Sequence, residues 1–286
     1  MEIVVPVVTP YRGGRVDVDA YSQFIKHLLG RGVTAVYVAG TTGLGPALRH
    51  EERVALLEAA ASTTKNVIFN VSSLQYEDVV GAVREANRLD IIAVASTAPF
   101  YFPSVTPRQI VKYFRDICQK SSHPLYLYNI PSAVGRDVDV KTVGEVGCIA
   151  GVKDTVEEIA HTVRYKKALP NARVYNGSNS LILASFVYGL DGVVVSAGNY
   201  LPEVVASIRE AVKAGELEKA ARLQWALDEL QMLARDFGGL PAIYEFIREF
   251  QGFDLGGPKP PIYPLDEEER AALIQRLRAL RERLKL

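Results

Sequence analysis

The feature that most restricts how this chain can fold is a set of eight short apolar runs, rich in β-branched residues, at 3–8, 33–38, 67–71, 91–95, 125–128, 149–152, 173–175 and 192–195. Each is close to continuously apolar, which is the pattern of a strand covered on both faces. The segments between them carry apolar residues at helical spacing, as in Tyr21, Phe24, Ile25, Leu28 and Leu29. Strands and helices in strict alternation need parallel pairing with crossovers, so the expected architecture is α/β, a (β/α)8 barrel. The competing solution, an open doubly wound sheet, usually carries a glycine-rich phosphate loop after its first strand. Here that strand runs out in Val8-Thr9-Pro10-Tyr11, with no GxGxxG.

After the eighth run the chain continues in helical pattern for longer than one closing helix requires. A single domain is expected, with the barrel over 1–213 and an added helical layer over 214–286. The last helix should start at Pro264-Leu265-Asp266, because Glu267, Glu268 and Glu269 fill its first turn and Leu273, Ile274, Leu277, Leu280 and Leu284 follow at core spacing. The acidic run therefore reads as a helix start and not as a ligand set. Gly256-Gly257-Pro258-Lys259-Pro260-Pro261 reads as a rigid connector into that helix.

A chain of 286 residues with 48% hydrophobic and 23% charged residues can bury a large core. Lys plus Arg and Asp plus Glu are 33 each, so no net field draws the protein to nucleic acid or to an anionic membrane. Cys118 and Cys148 have neither a CxxC nor any metal-ligand spacing, so no disulfide framework or zinc site is expected, and a reducing cytoplasm fits. The opening Met1-Glu2-Ile3-Val4-Val5-Pro6 has no basic leader, and no stretch approaches the roughly 18 apolar residues of a membrane span, so neither export nor insertion is expected.

In a barrel of this kind the active site is built at the C-terminal ends of the strands. The reactive groups that end strands are Thr41 and Thr42 after the second, Tyr101 beyond the fourth, Tyr128 and Asn129 at the fifth, Lys153 and Asp154 at the sixth, and Gly177 and Ser178 after the seventh. Of the twelve lysines, Lys153 alone ends a strand at the catalytic face; the others fall in helices, at strand starts or in the Pro-rich connector. An amine in an apolar barrel mouth is desolvated, which favours its neutral, nucleophilic form. The structural alternative is a strand-end lysine paired with Asp154. Tyr128 could pass protons from the adjacent strand end, and Gly40-Thr41-Thr42-Gly43 offers hydroxyls and backbone amides suited to a carboxylate. Metal-dependent aldol chemistry would need clustered ligands, but His27, His50, His123 and His161 fall in helices or at strand starts and read as surface residues.

Gly40-Thr41-Thr42-Gly43, Tyr128-Asn129-Ile130-Pro131 and Gly151-Val152-Lys153, in this order, resemble the signature segments of the dihydrodipicolinate synthase and N-acetylneuraminate lyase superfamily. The resemblance implies a (β/α)8 barrel with C-terminal helices, a homotetramer, and a Schiff base between lysine and a pyruvate-like keto acid. By it Lys153 is the nucleophile, Tyr128 the proton carrier, and Thr41 and Thr42 the carboxylate ligands. Tyr101 looks like the tyrosine that many members insert into a neighbouring subunit's site.

Gly43-Leu44-Gly45-Pro46, Gly151-Val152-Lys153-Asp154-Thr155 and the 256–261 connector look most like the archaeal branch that cleaves 2-keto-3-deoxygluconate and its 6-phosphate in a modified Entner-Doudoroff type of sugar breakdown. The synthase and lyase branches usually carry Glu where Leu44 stands, and the synthase branch an arginine where Ala133 stands. Relatives that take phosphorylated substrate have arginine where Ser104 stands and tyrosine where Ile130 stands, whereas Arg235 is retained. The expected reaction is a reversible cleavage to pyruvate and glyceraldehyde, or glyceraldehyde 3-phosphate, without a metal or organic cofactor. Asn129, Ile130, Asp154, Thr155, Gly177, Ser104 and Arg235 are the further candidate substrate ligands. The alternatives are another lyase or synthase of the superfamily, or a non-catalytic barrel that binds a keto acid. Few Met and Cys, with 21 Arg against 12 Lys, suit a thermophile.

Overall fold

The computed structural model describes residues 1–284; the last two residues of the expected helical layer lie outside the described residues. Eight parallel strands close into a barrel: β1 (Glu2–Pro6), β2 (Ala35–Val38), β3 (Val67–Asn70), β4 (Ala93–Ser96), β5 (Leu125–Asn129), β6 (Ile149–Asp154), β7 (Arg173–Asn176) and β8 (Gly192–Val194). Each pairs with the next, and β1 closes the ring against β8 and β2, with Val4 opposite Val194 and Ala35.

The helices that follow the strands are α1 (Val18–Leu29), α2 (His50–Thr63), α3 (Tyr76–Ala86), α4 (Pro107–Lys120), α5 (Val140–Val146), α6 (Ile159–Ala168), α7 (Ile182–Val187) and α8 (Pro202–Lys213). Their starts follow from local chemistry. Asp17 accepts from Ala20 N at 3.0 Å to open α1. Thr106 and Gln109 accept from each other's backbone N–H ahead of Pro107, and Asp139 accepts from Thr142 N at 2.7 Å.

Both faces of the strands are buried because two cores meet there. The outer core, between strands and helices, takes Ile3, Val5, Val36, Val38, Phe69, Leu125, Leu127 and Val152. The inner one takes the alternate residues, among them Val4, Tyr37, Ile68, Ala95, Tyr126, Tyr128 and Tyr175. At the N-terminal end of the barrel the hydroxyl of Tyr175 donates to Glu2 at 2.6 Å, and Glu2 also pairs with Arg173. That end is plugged, so open space for chemistry remains at the C-terminal ends of the strands.

Three helices follow the barrel: α9 (Leu217–Asp236), α10 (Leu240–Gln251) and α11 (Glu267–Leu284). The last begins where its acidic run placed it: Glu269 N donates to Asp266 and Asp266 N to Glu269, at 2.8 and 3.0 Å. Lys259 of the connector forms a largely buried ion pair with Glu52 of α2, which ties the C-terminal layer to the barrel. No described helix is long and apolar enough to cross a membrane.

Two features depart from the sequence-based expectation. A two-stranded hairpin, Tyr11–Arg12 against Arg15–Val16, sits between β1 and α1. Cys118 and Cys148 are joined in a disulfide, which links the end of α4 to the residue before β6. Their separation of 30 residues carries no local signature; the pairing follows from the packing of α4 against α5, where Arg115 also donates to Val146 O.

Candidate active site

Strand alternation sorts the candidate residues into two groups. Tyr128 of β5 is in register with Lys153 of β6, and Asn129 with Asp154. Successive strand residues face opposite sides, so Tyr128 and Lys153 enter the barrel while Asn129 and Asp154 leave it.

Inside, Lys153 is 5% exposed, and its Nζ lies 3.8 Å from the centroid of the Tyr128 ring and 4.5 Å from that of Tyr37. Among the described residues no carboxylate pairs with it; Asp154, the nearest in sequence, is bonded to His161 instead. Burial without an ion pair pulls the amine down to about 7, so a substantial share is neutral at neutral pH. The Tyr128 hydroxyl lies 3.0 Å from Thr41 Oγ1. Burial pushes the Tyr128 phenol up to about 12 against the opposing effect of that hydrogen bond, so it begins the reaction protonated, as a donor.

Two glycines make room for this arrangement. A Cβ on Gly177 would lie 2.7 Å from Thr155 Cγ2 and 3.2 Å from Lys153 Cε, and one on Gly40 would lie 2.8 Å from Tyr37 Cδ1. The Thr41 turn is fixed by Leu44 N donating to Thr41 O and Gly45 N to Gly40 O, and by the Thr9 hydroxyl donating to Gly43 O. Thr41 and Thr42 also line an apolar cavity of about 370 Å³ shared with Leu44, Leu240, Ile243 and Ile262. Ile130 packs against the inner core at the end of β5.

Outside the barrel the picture reverses. Asp154 is 0% exposed and accepts from Asn129, from Val156 N, from His161 and from the Thr162 hydroxyl. His161 reaches Asp154 with Nδ1 at 2.9 Å and Asp137 with Nε2 at 3.0 Å. Partial burial works against a charged ring, but the hydrogen bonds and charges of Asp154 and Asp137 prevail, and its pKa is raised. Asn129 donates to both aspartates and accepts from Val138 N.

Two placements differ from what the sequence suggests. Asn129 and Asp154 are turned away from the barrel interior, into a buried network behind the ends of β5 and β6. His161 is not a surface residue but the bridge of that network. Thr155 also turns partly inward to the protein, its hydroxyl donating to Asn129 O at 3.0 Å.

The remaining candidates lie on the rim. Tyr101 is 79% exposed, with φ of +73°. Its loop, which includes Ser104, is anchored by the Arg136 guanidinium donating to Phe102 O, Pro103 O and Val105 O. Arg235 of α9 reaches Glu157 of the loop after β6 at 3.1 Å, and Glu157 also accepts from Ser178. Tyr37, Arg136, Asp137, Glu157 and His161 join these surroundings through tertiary packing. Only Tyr37 had a usable signal, a position of inward phase on β2 three residues before Gly40.

The dihydrodipicolinate synthetase family model matches residues 1–280. The chain belongs to that family. Within the dihydrodipicolinate synthetase family it is 50% identical over 286 residues to a 2-dehydro-3-deoxy-D-gluconate/2-dehydro-3-deoxy-phosphogluconate aldolase of Thermoproteus tenax, covering 100% of this chain and 94% of the relative. It is 41% identical over 284 residues to a 2-dehydro-3-deoxy-phosphogluconate/2-dehydro-3-deoxy-6-phosphogalactonate aldolase of Saccharolobus solfataricus, covering 99% and 97%. The crystal structure of KD(P)GA from T. tenax superposes with a TM-score of 0.97 over 99% of this chain and 100% of its own. A Sulfolobus solfataricus 2-keto-3-deoxygluconate aldolase in complex with D-KDPG gives the same TM-score, 0.97, at 41% identity, over 99% of this chain and 97% of its own.

Proposed function

We propose that this chain is a Schiff-base aldolase, a carbon–carbon lyase that reversibly cleaves 2-keto-3-deoxygluconate and its 6-phosphate to pyruvate and glyceraldehyde or glyceraldehyde 3-phosphate. The names of its relatives support the reaction. The observation that carries the mechanism is a buried lysine amine with no ion-pair partner among the described residues, beside a phenol hydrogen-bonded to Thr41.

The steps follow from those groups. The Lys153 amine adds to the C2 carbonyl, and Tyr128 gives its proton to the departing oxygen, so water leaves and a cationic imine forms. Tyr128 is then able to take the C4 hydroxyl proton. The C4 oxygen becomes the aldehyde as the C3–C4 bond breaks, and its electron pair passes into an enamine. Protonation of the enamine at C3 and hydrolysis of the imine release pyruvate. Thr41 orients the phenol, and Thr41 and Thr42 offer hydroxyls to the substrate carboxylate.

We assign Arg235, now paired with Glu157, to the 6-phosphate, the anion competing with Glu157 for the guanidinium. Ser104, on the loop held by Arg136, is the second group assigned to it. Tyr101, with Phe102, Leu74 and Tyr76 also exposed, fits a homotetramer in which this tyrosine enters a neighbour's site. We place the enzyme in the cytoplasm, where the disulfide would persist in the manner of intracellular proteins of hyperthermophiles.

The test is reduction with borohydride in the presence of pyruvate, alongside an assay of aldehyde release from both keto-deoxy sugars. One pyruvate-derived mass on Lys153 and release from both sugars are the expected results. An adduct on another lysine, or none, overturns the mechanism.

A further inference from the structure

The cationic imine places a positive charge in a buried site. Forming it takes up a proton as the N–C bond forms and water leaves; the Tyr128 phenolate and the substrate's own carboxylate are the anions the reaction brings near that charge, which lasts until the enamine forms. No carboxylate among the described residues faces it, because Asp154 is on the other side of β6 with its oxygens engaged by Asn129, Val156 N, His161 and Thr162. What does face the nitrogen is aromatic. The amine sits over two tyrosine rings, 3.8 Å from the centroid of Tyr128 and 4.5 Å from that of Tyr37, and the rings meet edge to face at 5.7 Å. The face of an aromatic ring is electron-rich and attracts a cation most strongly where water is excluded.

We infer that Tyr37 is a further residue of the reaction: its ring face, beside that of Tyr128, stabilises the cationic imine. The role belongs to the ring and not to the hydroxyl. The Tyr37 hydroxyl bonds to Asn70 Oδ1 at a long 3.5 Å, while Gly40, two residues past β2, packs so close to the ring that a Cβ there would lie 2.8 Å from it. Tyr37 is the cleaner probe of the pair, since altering Tyr128 also removes the proton carrier. This inference rests on the Schiff-base reading of Lys153, and the experiment separates the two.

The experiment measures the equilibrium constant for imine formation with pyruvate, by borohydride trapping across a pyruvate titration, in the wild type and a graded series at position 37. Tyr37→Phe keeps the π face and loses the hydroxyl. Tyr37→4-fluorophenylalanine and Tyr37→pentafluorophenylalanine keep the shape while weakening and then reversing the charge of the face, which avoids the cavity that an aliphatic residue would leave. Tyr37→Phe should hold the imine constant within about twofold of the wild type, and the fluorinated residues should lower it progressively, by about 2- to 30-fold at the end of the series, with little change in Tm. A constant that does not fall along the fluorine series overturns the inference, as does an equal loss in Tyr37→Phe. Failure of the wild type itself to trap pyruvate on Lys153 would instead overturn the Schiff-base reading.

Discussion

The two faces of β6 hold opposite kinds of chemistry one residue apart. Facing inward, Lys153 has aromatic rings around it and no ion pair among the described residues. Facing outward, Asp154 is saturated with hydrogen bonds and shares His161 with Asp137. If the carboxylate faced the same side, it would hold the amine as an ammonium ion and suppress its nucleophilicity. The pleat of the strand keeps the two groups apart while letting the buried network fix the strand end that aims the lysine. A reactive residue and its support are thereby adjacent in sequence and separated in dielectric environment.

The comparison breaks first at Lys153. Lys153→Arg keeps a long cationic side chain but cannot form an imine, so kcat for cleavage should fall by at least about 10⁴-fold with the fold intact by circular dichroism. Retained turnover would mean that the inward face does not carry the covalent step. Next comes Tyr128→Phe, which removes only the hydroxyl and should lower kcat by about 10² to 10⁴ while pyruvate trapping on Lys153 survives in part. Wild-type kcat in steady-state cleavage would assign proton transfer to another group.

The outward face is tested by His161→Gln, with a stability loss of about 1 to 3 kcal/mol expected at low pH from the broken bridge. The sign follows from the raised pKa of His161 in the folded protein. Its contribution is fully present below the unfolded value near 6.5 and is lost as pH rises through the higher folded value. Urea midpoints measured across that window should therefore converge between variant and wild type as pH rises. A gap that stayed constant would show that the ring is not bridging the aspartates as a cation. The smallest effect concerns the rim: Arg235→Ala should raise KM for the 6-phospho sugar about tenfold and leave the unphosphorylated sugar nearly unchanged. Equal losses on both sugars would reduce Arg235 to a structural partner of Glu157.

The barrel is legible because each strand is a β-branched run buried on both faces, and the observed strands fall within two residues of those runs at every end. The hairpin at 11–16 carries no periodic signal because each strand has only two residues, although Gly13-Gly14 marks its turn. The cavity pair was legible because Lys153 and Tyr128 end neighbouring strands. The same periodicity, followed one residue further, would have turned Asn129 and Asp154 outward. His161 and Asp137 could not be linked from sequence, since a helix start and a loop meet at β6 only through tertiary packing. The Cys118–Cys148 pairing was hidden for the same reason.

The central claim is that strand alternation leaves Lys153 buried, unpaired and partly neutral near physiological pH. Competitive labelling of amines at a series of pH values, with peptide mapping to follow Lys153 alone, tests it most directly. A midpoint near about 7, against ordinary values near 10.5 for exposed lysines, is the predicted result. A Lys153 midpoint in the ordinary lysine range would show that the amine is charged and paired in solution, and would contradict the account.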